Sequence, residues 1–195
     1  MPRKRQIRQE KIAKYIFVEG KSEEKYFEIL RQNEYIPNLQ VFFIGAHATS
    51  LWYKSVKKME NHPKLNRKNA DIYLIFDKDH LTEEEYNEIF ELSKKEKFMI
   101  GFSNSAFEVW LLAHFEDLNS GFTSTEQLEA KLSVHLESSN KKLKYKKADT
   151  KQLEKIVPNY QNAIKNTAKI NQEDFSQQCT TVGAVILDVL KQTDN

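Results

Sequence analysis

This chain of 195 residues has very little that would tie it to a membrane or an oxidising compartment. Cys179 is its single cysteine, so no intramolecular disulfide is available, and a reducing interior is expected. No apolar run approaches the ~20 residues a membrane-spanning helix requires. The opening Met1-Pro2-Arg3-Lys4-Arg5 is basic but is not followed by the apolar core of a signal peptide. Together these features predict a cytoplasmic protein with no membrane partner. Internal repeats and low-complexity tracts are also missing. A strong net charge is absent too, the formal balance being only +2.

That small balance hides segregation. Residues 1–14 carry six basic side chains against Glu10 alone, and residues 141–155 carry seven lysines against Asp149 and Glu154. Residues 82–96 carry six glutamates against two lysines. Two basic patches predict a polyanionic partner, since local rather than net charge sets that attraction; solvated tails and helix faces are the alternative.

The main signal is a pair of acidic clusters at the ends of short apolar runs. Tyr15-Ile16-Phe17-Val18 leads into Glu19-Gly20, and Ile72-Tyr73-Leu74-Ile75-Phe76 leads into Asp77-Lys78-Asp79. Uninterrupted runs of β-branched and aromatic residues predict strands buried on both faces of a parallel sheet. Further strands are expected at 41–44 and 98–102. Intervening helices are expected after Ser22 as cap, from Thr49 or Ser50 to about residue 61, and from a Thr82 cap to about residue 97. This β-α alternation predicts an α/β fold with helices on both faces of the sheet. From about Thr123 only helical spacing is seen, with a linker at 138–148. The chain is accordingly divided into an α/β core, 1–122, and a helical C-terminal extension, 123–195, packed on that core. The stripe Val182, Val185, Ile186, Val189, Leu190 is expected to bury against the sheet, with the tail walling the acidic rim.

Ligands of open α/β sheets bind beyond the carboxyl ends of the strands. Glu19, Asp77 and Asp79 would meet there, and three like charges call for a hard divalent cation, Mg²⁺ or Mn²⁺, with phosphate completing its shell. Glu19 is read as a third ligand or as a proton-transfer group. Ser103 and Asn104 close another strand, either as helix caps or facing the same rim. Glu108, one turn on, is a ligand or base, or else pairs with a lysine. Trp110, Leu111 and Phe115 are read as core, and His114 as a buried, hydrogen-bonded histidine.

The order of a glutamate after one strand and Asp-x-Asp after a later one resembles the Toprim domain of topoisomerases, primases and OLD-type nucleases. More narrowly, three blocks resemble the RloB family. They are Val18-Glu19-Gly20-Lys21-Ser22-Glu23-Glu24-Lys25-Tyr26-Phe27, Phe76-Asp77-Lys78-Asp79, and the run Ser103-Asn104-Ser105-Ala106-Phe107-Glu108-Val109-Trp110-Leu111-Leu112-Ala113-His114-Phe115. Cys179-Thr180-Thr181-Val182 is similar to that family's closing helix start. Many relatives carry arginine at the position of Lys78 and an acidic residue at that of His80. Lys78 keeps the charge but not the bidentate fork. The resemblance implies a Toprim-like fold and Mg²⁺- or Mn²⁺-dependent phosphodiester cleavage, with Glu19, Asp77, Asp79 and Glu108 catalytic. It also implies a nucleic-acid substrate, DNA or RNA, and an SMC- or ABC-like ATPase partner in anti-phage defence.

Lys21, Lys78, His80, Ser103, Asn104, Lys144, Lys146 and Lys147 are the expected substrate-binding set, the last three forming with Tyr145 a basic, aromatic strip. Homo-oligomerisation is left open. Two other readings compete. One is a non-catalytic subunit that docks an ATPase. The other is a haloacid-dehalogenase-like phosphotransferase, disfavoured because its Asp-x-Asp belongs on the first strand and because Asp117 has no Gly-Asp neighbour.

Overall fold

A computed structural model describes residues 12–79, 81–137 and 143–191. Five strands form one sheet: β1 (Ala13–Val18), β2 (Leu39–Phe43), β3 (Ala70–Asp77), β4 (Met99–Asn104) and β5 (Cys179–Thr180), in the spatial order β2-β1-β3-β4-β5. The first four are parallel, and β5 closes the far edge antiparallel to β4. The expected α/β architecture is therefore present, with one antiparallel strand added.

The runs in β1 and β3 are buried throughout, as their lack of polar residues predicted. Alternate side chains go to opposite faces, because successive Cβ atoms of a strand point apart. Ile16, Val18, Tyr73 and Ile75 join the larger apolar cluster, whereas Tyr15, Phe17, Ile72, Leu74 and Phe76 join the smaller. The smaller is completed by α2 (Ala48–Asn61) and α3 (Glu83–Glu96). Helix α3 begins in a reciprocal capping box between Thr82 and Glu85. The larger is completed by α1 (Lys21–Asn33), α4 (Glu108–Leu112), α5 (Thr125–Leu136), α6 (Thr150–Ile156), α7 (Tyr160–Asn166) and α8 (Val182–Leu190). Residues on both sides of the expected boundary at 122/123 thus share one core.

Helix α8 buries the expected stripe: Val182, Val185, Ile186 and Val189 are fully covered and Leu190 partly so. Each such side chain is worth roughly 1.5–3 kcal/mol as an upper estimate. Gly101 in β4 admits the helix, since a Cβ there would stand 2.6 Å from Ile75 Cδ1 and 3.2 Å from Val185 Cγ2. At the other end of α8, the buried Lys14 ammonium of β1 donates to the carbonyls of Asp188, Val189 and Lys191 at 3.1, 2.7 and 3.0 Å. Those acceptors are the carbonyls that a helix C-terminus leaves unpaired.

Three expectations need correction. The region after residue 123 is not helix only, because Cys179 and Thr180 form β5. Thr181 Oγ1 accepts from Phe102 N and donates to the Ile100 carbonyl, and Ser103 Oγ pairs with Thr180 Oγ1, so cross-strand partners win over helical spacing. Ser22 is not the cap of α1; Gly20 is the N-cap residue, and Ser22 Oγ instead accepts from the amide of Ala148. Finally, α8 lies along the sheet and ends beside Lys14, at the amino end of β1. The parts of the tail that reach the acidic rim are the start of α5, the strap 143–149 and the loop 174–178.

Candidate functional site

In the parallel register Val18 pairs with Ile75 and Asp77 with Ser103, so β1, β3 and β4 finish at one edge. Glu19 follows β1, its amide donating to the Ile75 carbonyl at 3.0 Å, and Asp77 ends the neighbouring β3. Asp79 is exposed two residues on and lines a cavity of about 380 Å³ together with Asp77, Lys78, Asn104, Ser105 and Lys147. Glu108, at the start of α4, is almost completely buried. Asp77 Oδ2 also accepts from the Phe107 amide at 3.3 Å, joining β3 to the beginning of α4.

The electrostatics show what it costs to assemble these groups. Burial raises the Asp77 carboxyl to about 7, helped by the negative charges of Asp79 and Glu108 and opposed by the Phe107 amide and Lys147. Burial raises Glu19 to about 8, with Asp77 and Asp79 adding to the effect. Glu23 is similarly raised to about 8, by burial first and then by Asp77, Glu108 and Glu19, while its own amide opposes. Glu23, in the first turn of α1, folds back over Gly20, where an added Cβ would collide with its carboxylate. In the sequence Glu23 figures only as a member of the first motif block. It is in fact a fifth carboxylate of this rim. The signal was present, because Glu23 occupies the second acidic position of the first motif block.

His47 was also missed. It is the N-cap residue of α2, and its Nδ1 pairs with Glu19 Oε1 from a largely exposed position. Glu108 is gripped by the tail: the Tyr145 phenol donates to Glu108 Oε1 at 3.0 Å, and Lys147 Nζ lies 3.7 Å from the same oxygen. Tyr145 is therefore buried rather than offered to a base, and burial together with Glu108 pushes its phenol well above the ordinary range. The strap carrying it is pinned by Ser133 Oγ to the Tyr145 amide, by the Gln152 side chain to Lys144 and Lys146, and by Ser22 and Lys25 to Ala148. The expected flexible linker is thus an anchored strap over 143–148, while 138–142 lies outside the described residues.

Of the expected substrate-binding residues, Lys147 alone has an exposed ammonium beside the cavity. Lys144 and Lys146 are exposed on the strap, and His80 lies outside the described residues. Lys21 pairs with Glu24 at 2.7 Å and covers the Phe43 ring at 3.9 Å. Lys78, Ser103 and Asn104 each have a protein partner, and Lys78 and Asn104 also line the cavity. Lys78 Nζ donates to the Phe175 carbonyl at 2.7 Å and lies over that ring. Asn104 Nδ2 donates to the carbonyls of Asp174, Phe175 and Gln177. Ser103 Oγ is fully buried on Thr180. Lys78 and Asn104 thus bind the loop 174–178 to the sheet, Ser103 ties β4 to β5, and neither Ser103 nor Asn104 caps a helix.

A family model described as RloB-like protein matches residues 14–189. The chain belongs to the RloB-like protein family. Comparison with the curated proteins and with the solved structures found no match. Two motif residues of this RloB-like chain have structural work. Tyr26 Oη and His114 Nε2 are 3.0 Å apart inside the core, and His114 Nδ1 faces the carbonyls of Trp110 and Leu111. Carbonyls only accept, so Nδ1 carries the proton and Nε2 accepts from Tyr26. Burial lowers the histidine to about 4, keeping it neutral.

The donor chemistry of the rim suits a hard divalent ion: carboxylate oxygens dominate, and two more oxygens, Asn104 Oδ1 and Ser105 Oγ, are buried in the same wall without a hydrogen-bond partner. Among the described residues, however, no three His, Cys, Asp or Glu side chains are already gathered as a ligand set. The convergence expected of Glu19, Asp77 and Asp79 is therefore not pre-formed. Glu19 faces His47, Asp77 the Phe107 amide, and Glu108 Tyr145.

Proposed function

We propose that this RloB-like protein is a divalent-metal-dependent nuclease of the Toprim type, in which Glu19, Asp77 and Asp79 would hold Mg²⁺ or Mn²⁺. The observation that carries this reading is the grouping of Glu19, Glu23, Asp77, Asp79 and Glu108 at one sheet edge, with Lys147 beside them. Burial and like-charged neighbours raise Glu19, Glu23 and Asp77, and a divalent cation joining the cluster would offset that repulsion. A metal bound there would neutralise phosphate charge and supply an activated water. The chain's own residues divide the remaining tasks. His47 holds Glu19, Tyr145 and Lys147 orient Glu108 as the proton acceptor, and the exposed ammonium of Lys147 receives a phosphate oxygen. Family membership motivates the wider proposal that the protein is an anti-phage effector working with an SMC- or ABC-like ATPase.

The test is incubation of the full chain with Mg²⁺ or Mn²⁺ and labelled single- and double-stranded DNA and RNA, beside Asp77→Ala. Cleavage by the wild type that falls at least ~100-fold in the variant is expected, since a lost metal contact removes several kcal/mol of transition-state stabilisation. Equal inertness of both proteins on every substrate would overturn the reading. It would favour the non-catalytic ATPase-docking subunit, which fits a rim whose carboxylates already have protein partners.

A further inference from the structure

The cavity at the rim has one feature that metal chemistry does not use. Phe122 lines it and is 72% exposed, the largest exposure of any phenylalanine among the described core and surface hydrophobics. Single exposed apolar residues are ordinary on a surface. A bare phenyl ring at the mouth of a cavity that also holds Asp77, Asp79 and Lys147 is a more specific arrangement. Its position is also defined, because Phe122 comes two residues before Ser124, whose capping box with Gln127 starts α5. Among the described residues no other ring packs against it. The burial of Tyr145 leaves Phe122 as the aromatic surface available to a ligand at this site.

We propose that Phe122 is a stacking platform for an unpaired nucleobase, so that the strand recognised here is single-stranded nucleic acid with its neighbouring phosphate on Lys147. The proposal rests on the nucleic-acid reading of the site and adds its substrate class. In a duplex both faces of an internal base are covered by its neighbours, so only an unpaired or extruded base can present a face to a phenyl ring. A cavity of about 380 Å³ falls at the small end of ligand sites and has room for a nucleotide unit rather than a duplex. Charge supports the same choice. The carboxylates repel a polyanion, Lys147 offsets this at one point, and stacking adds affinity that does not depend on charge.

The experiment measures binding separately from cleavage. Fluorescein-labelled oligo(dT), oligo(U) and a blunt duplex of equal length are titrated by anisotropy with the full chain, Ca²⁺ replacing Mg²⁺ to slow turnover. Wild type is compared with Phe122→Ala, Phe122→Leu and Phe122→Trp. Phe122→Ala should weaken single-strand binding by about 5- to 150-fold, the value of one base stack. It should leave duplex binding and the melting temperature unchanged. Phe122→Trp should restore affinity, and Phe122→Leu, apolar but without a π face, should not. The slope of log affinity against log salt should be unaffected by Phe122→Ala, whereas Lys147→Ala should reduce it by about 0.7, one phosphate contact on a single strand. The oligo(dT) and oligo(U) arms separate DNA from RNA. Unchanged single-strand affinity in Phe122→Ala, or rescue by leucine as good as by tryptophan, overturns the proposal. Phe122-dependent binding without cleavage leaves it standing and removes the nuclease reading; cleavage indifferent to Phe122 does the reverse.

Discussion

Replacing Asp77 by asparagine should make the metal-free protein more stable. The Asp77 carboxyl is raised from 3.8 to about 7, chiefly by burial and then by Asp79 and Glu108. The native protein therefore binds more protons here than the unfolded chain between about pH 4 and pH 7, and stability falls as pH rises through that window. Carried through the linkage relation, the change sets a ceiling of about 4 kcal/mol above pH 7. Part of that ceiling is shared with Glu19 and Glu23, which relax when one charge leaves, so about 1–2 kcal/mol is expected. Asparagine retains an oxygen to accept from the Phe107 amide, so the link between β3 and α4 survives. For a chain of this size the gain corresponds to a melting temperature higher by about 2–8 °C. Thermal unfolding in EDTA, followed by circular dichroism at pH 4, 6 and 8, is the assay, with the difference small at pH 4 and full at pH 8. Millimolar Mg²⁺ or Mn²⁺ should raise the wild-type transition by mass action and narrow or reverse the difference. A variant that melts at or below the wild type at pH 8 in EDTA, or a difference that ignores pH, would refute the electrostatic account of the rim.

Two further perturbations examine how the tail supports the core. Tyr145→Phe removes the phenol that donates to the buried Glu108 carboxylate, and should cost about 1.5–3 kcal/mol in denaturant unfolding at pH 8 while lowering any cleavage rate; unchanged values for both would show that Lys147 alone satisfies Glu108. Lys14→Met leaves the α8 carbonyls of Asp188, Val189 and Lys191 without their shared donor, and should destabilise by about 2 kcal/mol or more; faster amide exchange confined to the last turn of α8 would locate the effect.

The elements whose signal is local were legible in the sequence. The runs of β1 and β3 announce strands covered on both faces, since a partly solvated strand would alternate polar and apolar residues. Thr82 with Glu85 announces the start of α3, and the stripe from Val182 to Val189 announces the buried face of α8. The acidic residues at strand ends follow from parallel topology, and the motif blocks carried the family. The second acidic position of the first block could have revealed Glu23, which the first turn of α1 keeps beside the end of β1.

What the tertiary structure alone decided is which polar group meets which. Lys78 is a phosphate candidate by position but reaches a carbonyl 97 residues away, and Tyr145 is a stacking candidate by composition but is buried on Glu108, 37 residues away. Cys179 and Thr180 are strand rather than helix because β4 presents an open edge there. Periodicity reports the face of an element, since it arises from backbone geometry repeated every few residues. A hydrogen bond or a cavity wall depends on where distant segments lie once the core has closed, which is why His47, Phe122 and the strap over Glu108 emerge only from the fold.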